Sequence, residues 1–144
     1  MSAYVDTSVL GAYYCPEKLS SAAEAALRLI DEPVISILSE VELHSLIAKK
    51  RRLKELTPSQ ARKVLEMFGN HVSEGFYRRI TLTGEHYLKA RQLIAATQIP
   101  LHTLDALHLA AAMAESLPLL TADKGLAEAA KRHGSEVILI EGSG

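Results

Sequence analysis

The sequence is poor in aromatic residues and cysteine: it has no tryptophan, one cysteine and an aromatic fraction of 5% over 144 residues. With so few aromatic side chains, we do not expect a broad surface on which nucleic-acid bases stack. The single cysteine, Cys15, excludes a disulfide bond within the chain and fits a reducing compartment. We therefore expect a cytoplasmic protein.

The sequence also lacks a long apolar run and an excess of one charge. No stretch is long enough to cross a bilayer, so no membrane partner is expected. The amino terminus has no basic segment and reaches Asp6 almost at once, which argues against a secretory signal. The net charge of −1, from 16 basic and 17 acidic residues, does not point to nucleic-acid binding. A local basic cluster is the exception and is a candidate RNA-binding track; it consists of Lys49, Lys50, Arg51, Arg52 and Lys54.

What is present is the composition of an ordinary globular domain, with 48% hydrophobic and 23% charged residues. The length predicts a single domain over residues 1–144. Helix and strand signals alternate, which indicates an α/β fold with a mostly parallel sheet. The predicted strands are residues 3–5, 34–37, 77–82, 119–121 and 136–140. The predicted helices are residues 9–14, 21–31, 57–68, 84–97, 104–115 and 124–133, and one from Ser39 into the basic cluster.

Local signals predict where several helices begin and end. Capping boxes are predicted at Ser21–Glu24 and Ser39–Glu42. Pro58 in a first-turn position follows Thr57, and Gly69-Asn70 is expected to end that helix. The third strand carries adjacent arginines, so we place it at or near a sheet edge. Residues 141–144 are expected to be frayed. Four residues of the helix at 84–97 are expected to be buried: Tyr87, Leu88, Leu93 and Ile94.

Acidic residues occur at corresponding points of this pattern. Asp6 follows strand one, Glu42 lies in the first turn of the helix after strand two, and Asp123 follows strand four. If strands one and four are neighbours and strand two flanks strand one, these three carboxylates share one edge of the sheet. Asp105, in the first turn of the helix before strand four, joins them only if that helix begins at the same edge.

Each acid alone is explained by a structural role, as a helix cap or as a partner of a helix dipole. Together, however, clustered carboxylates repel one another unless a cation neutralises them. Oxygen ligands favour Mg²⁺ or Mn²⁺ over zinc. His108 lies one turn after Asp105 on the same helix face, which a partly buried helix histidine also explains. Three hydroxyl residues are candidates for holding water or orienting the ligands: Thr7, Ser8 and Thr121.

Four segments resemble the four motifs of the PIN domain, in the order and at the length of the VapC-type toxins of toxin–antitoxin pairs. They are Tyr4–Ser8, Ser36 with Glu42-Leu43, Leu104–Ala110 and Leu120–Leu126. The resemblance implies a three-layer α/β/α sandwich with a central, mostly parallel sheet of four to five strands. It also implies Mg²⁺- or Mn²⁺-dependent endoribonuclease activity, with Asp6, Glu42, Asp105 and Asp123 as the metal ligands. Glu40 is a rival for Glu42, at a less usual spacing from Ser36. A homodimer and a small inhibitory antitoxin are implied as partners.

The leading hypothesis is therefore a ribonuclease in which a metal-activated water attacks the phosphodiester. The second hypothesis is an RNA- or protein-binding module with weak or no catalysis, motivated by the near-neutral charge. A third is a nuclease that acts on DNA flaps.

Overall fold

Five parallel strands form one sheet at the centre of the protein, which is described here by a computed structural model covering residues 1–142. The strands are β1 (Ser2–Val5), β2 (Glu32–Ser36), β3 (Arg78–Ile80), β4 (Leu119–Thr121) and β5 (Val137–Leu139). The helices are α1 (Thr7–Tyr14), α2 (Ser20–Arg28), α3 (Ile37–Arg52), α4 (Pro58–Ser73), α5 (Gly84–Ala96), α6 (Thr103–Ala114) and α7 (Lys124–Arg132). Within residues 1–142 no helix is both long and apolar enough to span a membrane.

The order of the strands is β3-β2-β1-β4-β5, and every pair is parallel. The central pair is in register at Tyr4 with Leu119 and at Val5 with Leu120. The predicted neighbours of strand one are thus confirmed, and so is the edge position of the third strand. Because the chain order reverses between β1 and β4, the carboxyl ends of these two strands form the switch point of the sheet.

Helices cover both faces of the sheet, which confirms the three-layer α/β/α sandwich. Along β1, Ala3 and Val5 face the core formed with α1 to α4, whereas Tyr4 faces the core formed with α5 to α7. This alternation is the two-residue period of a strand that is buried on both faces. The alanine-rich α6 is buried from Ala106 to Ala112, because its small side chains allow a close approach to the sheet.

The two predicted capping boxes are wrong. Helix α2 begins after Leu19 without a side-chain cap, and the box at α3 is formed by Ser36 and Ser39. Strand β2 consequently ends at Ser36, and Ile37 belongs to α3 rather than to the strand. The shift matters for the site, because Glu42 then lies in the second turn of α3 and its carboxylate does not cap the helix.

Two further predictions from local signals also fail. Gly69-Asn70 does not end α4, which continues to Ser73; Gly75, with a φ of 77°, follows its cap. Of the four α5 residues expected to be buried, only Leu93 is, whereas Tyr87, Leu88 and Ile94 are 57%, 46% and 39% exposed. The predicted fraying at 141–144 falls partly on residues 143 and 144, which lie outside the described range. Thr57 begins α4 with the predicted Pro58 in the first turn.

Candidate active site

Asp6 and Asp123 lie side by side at the carboxyl edge of the two central strands. Asp6 directly follows β1, and Asp123 follows β4 by two residues. The two ends are tied by the Asp6 backbone N–H, which donates to the carbonyl oxygen of Leu120 at 2.9 Å. The side chain of Asp123 also caps α7, accepting a hydrogen bond from the backbone N–H of Leu126 at 3.1 Å. Its structural role and its place in the acidic cluster therefore coexist.

Two hydroxyl groups fix the carboxylate of Asp6. Ser8 Oγ and Thr121 Oγ1 both donate to Asp6 Oδ2, at 2.6 and 2.9 Å. The same hydroxyl oxygens accept the backbone N–H groups of Ala122 and Asp123, both at 3.0 Å. The loop after β4 is thereby coupled to the carboxylate after β1, and Asp6 is held although it is only 5% exposed.

Glu42 reaches the same edge from α3. Its Oε1 accepts a hydrogen bond from Thr7 Oγ1 at 2.9 Å and also contacts Nε2 of His108. That Nε2 lies 4.0 Å from Oδ1 of Asp6, which connects Glu42 to the central acids. Burial alone would raise the pKa of Glu42, but the hydrogen bond and charge of His108 and the bond from Thr7 lower it below its ordinary value.

Glu40, the rival at this position, is engaged elsewhere. Both of its carboxylate oxygens accept hydrogen bonds from the guanidinium of Arg79 at 2.9 Å. Such a bidentate pair holds the side chain against the β3 edge of the sheet. The geometry therefore places Glu42, and not Glu40, beside Asp6.

Asp105 lies in the first turn of α6 and completes the group. Burial, followed by the negative charges of Asp123 and Asp6, raises its pKa to about 6. One turn further along α6, Nε2 of His108 lies 4.0 Å from Oδ1 of Asp6, so this end of the helix is beside the central acids. Helix α6 thus begins at the shared edge, which was the condition for Asp105 to join the cluster, and the structure brings the four predicted acids together.

His108 and Tyr4 form a buried contact behind the acids that the sequence patterns did not predict. The hydroxyl of Tyr4 lies 2.7 Å from His108 Nδ1 and 2.8 Å from Ser36 Oγ. Burial lowers the pKa of His108, but the bond to Glu42 and the charges of nearby acids outweigh it and raise the pKa above its ordinary value. The position of Tyr4 in a strand covered on both faces could have predicted a contact of this kind, because a buried phenol needs a hydrogen-bond partner.

The donor set fits a hard divalent cation. One oxygen each of Asp6, Glu42 and Asp123 accepts protein hydrogen bonds, which orients the carboxylate as outer contacts orient metal ligands. The raised pKa of Asp105 indicates repulsion that a cation would relieve. Within residues 1–142, however, no three histidine, cysteine or acidic side chains already stand in an arrangement that could hold a metal ion. Binding would therefore require side-chain adjustment of the acids.

The predicted basic track lies at the opposite end of α3 from the acids, about 10–15 Å further along the helix axis at 1.5 Å per residue. Lys50 is half-buried and pairs with Glu17 and Glu55, at 3.7 and 3.8 Å. Exposed members of the cluster remain at the end of α3: Lys49, Arg51 and Arg52. A cleft of about 850 Å³ between α3 and α4 includes Arg51, Arg52 and Arg62 in its lining, but none of the four acids.

The fold and site define a class: an α/β/α sandwich whose carboxylates gather at the switch point of a parallel sheet. The PIN domain family model matches residues 3–132, and the chain belongs to the PIN domain family. No curated protein has a significant match to the sequence.

Solved structures with a similar fold include three proteins of low sequence identity. VapBC2 from Rickettsia felis, bound to a DNA fragment from its promoter, has a TM-score of 0.68 at 16% identity, covering 98% of this chain and 100% of that chain. VapC20 of Mycobacterium tuberculosis, described as a Sarcin-Ricin loop cleaving toxin, has a TM-score of 0.70 at 15% identity, and the match covers 88% of this chain and 94% of that chain. VapBC-5 of the same organism, a member of the VapBC family of toxin-antitoxin systems, has a TM-score of 0.62 at 18% identity, and the match covers 97% of this chain and 98% of that chain. At these identities the likeness shows the fold alone.

Proposed function

We propose that the protein is a Mg²⁺- or Mn²⁺-dependent endoribonuclease and the toxin of a toxin–antitoxin pair, acting in the cytoplasm. The observation that carries the proposal is the convergence of Asp6, Glu42, Asp105 and Asp123 at one edge of the sheet. Membership of the PIN family supports it, as does the fold shared with a toxin described as cleaving the Sarcin-Ricin loop.

The four acids are the proposed metal ligands. Bound there, the cation would lower the pKa of a water molecule and offset negative charge on the phosphoryl group. Ser8 and Thr121 hold the Asp6 carboxylate, and Thr7 holds that of Glu42, so these ligands are oriented before substrate arrives. In-line attack of water on phosphorus breaks the bond to the 3′ oxygen and leaves 5′-phosphate and 3′-hydroxyl ends. The helices α1, α6 and α7 begin at this edge, and the backbone N–H groups of their first turns that lack a partner would favour a bound phosphate.

Glu42→Gln and Glu40→Gln form a matched pair that tests the assignment on α3. Both changes remove one negative charge from the same helix, but only Glu42 lies beside Asp6. We expect Glu42→Gln to slow RNA cleavage about 100-fold or more, the scale of removing one electrostatic interaction from an active site. Glu40→Gln should cleave at the wild-type rate. Cleavage of a labelled single-stranded RNA is measured with Mn²⁺ and again after chelation with EDTA; a reversed order of the two variants would contradict the assignment.

The same assay separates the alternatives. A binding module without useful catalysis predicts no cleavage by the wild type and no Mn²⁺ binding near millimolar concentration by calorimetry. A nuclease for DNA flaps predicts cleavage of a flapped DNA oligonucleotide in preference to an RNA of matched sequence. Cleavage that continues in EDTA would show that the reaction does not require a divalent cation.

The exposed basic residues at the end of α3 are proposed to bind RNA phosphates. Replacing Lys49, Arg51 and Arg52 with glutamine should weaken RNA binding and lower the slope of log K against log salt by about 0.7 for each phosphate that the replaced side chains no longer neutralise. Lys50 is left unchanged because its two acidic partners already engage it. Replacing Lys131 and Arg132, two exposed basic residues at the end of α7, is the control for loss of positive charge elsewhere on the surface. An unchanged salt slope in the α3 variant would exclude this surface.

A small antitoxin is proposed as a protein partner, and the fold shared with VapBC-5 supports this proposal. The antitoxin would be encoded beside the gene for this chain. Growth arrest on expression of the chain alone, relieved by co-expression of the neighbouring short reading frame, is the expected result. Equal growth with and without that reading frame would contradict it.

A homodimer is also proposed, and its candidate surface is the exposed apolar face of α5 and the start of α6. Tyr87 and Ile94 lie on this face, at 57% and 39% exposure, and line one groove with Thr103 at the start of α6. Sedimentation equilibrium should give twice the chain mass for the wild type, and Ile94→Glu should give the mass of one chain. A monomeric wild type would overturn this part of the proposal.

A further inference from the structure

Behind Glu42, two polar side chains are enclosed in the core between the sheet and α6. Tyr4 is 0% exposed and His108 is 1% exposed. Burying a phenol and an imidazole is unfavourable unless their polar atoms are hydrogen-bonded. An apolar pair of similar volume would fill this space without that requirement, so the polar pair calls for an explanation beyond packing.

The two side chains belong to one line of contacts that ends at the acidic edge. The hydroxyl of Tyr4 lies 2.8 Å from Ser36 Oγ on the neighbouring strand β2 and 2.7 Å from His108 Nδ1 on α6. The other ring nitrogen, Nε2, contacts Oε1 of Glu42, which Thr7 Oγ1 also approaches, at 2.9 Å. With Thr7 included, the contacts connect two strands, β1 and β2, and three helices, α1, α3 and α6, and three of these elements meet at one carboxylate oxygen of Glu42.

The protons in this line have one consistent arrangement when the ring is neutral. The Glu42 carboxylate can only accept, so Nε2 of His108 carries the proton. Nδ1 then accepts the Tyr4 O–H, and the Tyr4 oxygen accepts the O–H of Ser36. Burial raises the pKa of Tyr4 to about 12, so its hydroxyl keeps its proton at neutral pH. If the ring is protonated, Nδ1 donates to Tyr4 instead, and Nε2 still donates to Glu42.

We propose that Tyr4 and His108 are positioning residues for Glu42: Tyr4 fixes the plane and tautomer of the imidazole, and the imidazole aims the carboxylate at Asp6. The inference rests on the proposed ribonuclease function for its effect on cleavage. The geometry it describes belongs to this chain's own side chains. A hydrogen-bonded histidine behind a carboxylate resembles the outer contacts that orient metal ligands in general, whose loss costs about 10–100-fold in affinity or activity.

Tyr4→Phe is the main test, because it removes one oxygen atom and keeps the ring in the core. We expect a fall of about 10-fold in kcat for RNA cleavage and in Mn²⁺ affinity by calorimetry, with KM for RNA unchanged. Tyr77→Phe is the matched control: it also removes a buried tyrosine hydroxyl, one that bonds Tyr14 at 2.6 Å and touches none of the acids. The control should cleave as the wild type does.

A double-mutant cycle separates positioning from a general loss of stability. If Tyr4 acts through Glu42, then Tyr4→Phe has no further effect on the residual cleavage of Glu42→Gln. An equal loss in both backgrounds would overturn the inference. His108→Gln keeps an N–H donor near the place of Nε2, so it should retain more activity than His108→Leu; equal losses for these two variants would count against the ring's role.

Nitrogen-15 NMR of the His108 ring tests the geometry without RNA or metal. In the wild type we expect a slowly exchanging N–H on Nε2. Tyr4→Phe should change the ring nitrogen shifts and speed that exchange, whereas Tyr77→Phe should leave both unchanged. If the wild type does not cleave RNA, the proposed function fails and this experiment still decides the positioning claim. Identical His108 spectra for the wild type and Tyr4→Phe would overturn it.

Discussion

Replacing Asp6 with asparagine is expected to abolish RNA cleavage and leave the fold intact. Asp6 is the central member of the acidic group, next to Thr121 and close enough to Asp105 for their charges to repel. The change removes a negative charge where a cation must be held, so the loss should exceed the range of about 10–100-fold typical of outer contacts. Asparagine retains a carbonyl oxygen that accepts hydrogen bonds from Ser8 and Thr121, so the loop after β4 stays in place.

The Asp6→Asn experiment needs a readout for structure as well as for activity. Thermal unfolding in EDTA should give a midpoint at or slightly above that of the wild type, because one member of a repelling group is neutralised. Asp31→Asn is the control: that carboxylate is exposed, pairs with the amino terminus at the other edge of the sheet, and should leave cleavage unchanged. Cleavage by Asp6→Asn at the wild-type rate with Mn²⁺ present would refute the catalytic assignment.

Much of the fold could be predicted from local sequence patterns, because tertiary contacts left those local preferences in place. Strand β4 was predicted at its observed bounds, and Asp123 caps α7 as its sequence position suggested. The errors occurred where several local signals competed. Ser36, Ser39 and Ser21 are all good caps in isolation, and only the end of β2 decides that Ser36 begins α3. The exposed Tyr87 and Ile94 show that an apolar helix face does not identify the surface that covers it.

The candidate site was predictable to the extent that it depends on strand ends. Asp6 and Asp123 follow neighbouring parallel strands, so their proximity is a consequence of topology. The choice between Glu40 and Glu42 depends instead on which face of α3 meets the sheet, and Arg79 on β3 resolves it geometrically. The contact between Tyr4 and His108 joins residues 104 positions apart. Contacts of that kind depend on how α6 packs on the sheet, which no local pattern specifies.

Asp105→Asn is expected to stabilise the metal-free protein and to remove its activity together. Burial and the charges of Asp123 and Asp6 raise the pKa of Asp105 from 3.8 to about 6. Between these values the folded protein holds a proton that the unfolded chain has released, so the free energy of unfolding falls as the pH rises through this window. Above about pH 6 the Asp105 carboxylate is ionised in the folded protein as well, and its ionisation lowers the free energy of unfolding by the full amount. A shift of this size corresponds to about 3 kcal/mol, and because the group is only half-buried we expect roughly 1–2 kcal/mol.

Urea unfolding at a series of pH values in EDTA measures this difference between Asp105→Asn and the wild type. The variant should be more stable at pH 7, and the gap should close as the pH falls below about 4, where the wild-type carboxyl is protonated in both states. Mn²⁺ should act in the opposite direction: at ten times its dissociation constant it adds about 1.4 kcal/mol to the protein that binds it. The wild type should gain this stabilisation and the variant should not. Mn²⁺ should therefore reduce the difference in the free energy of unfolding between the two proteins, or reverse its sign. If the difference in the free energy of unfolding does not depend on pH, the loss of repulsion is not its cause. If Mn²⁺ stabilises both proteins equally, Asp105 is not a metal ligand.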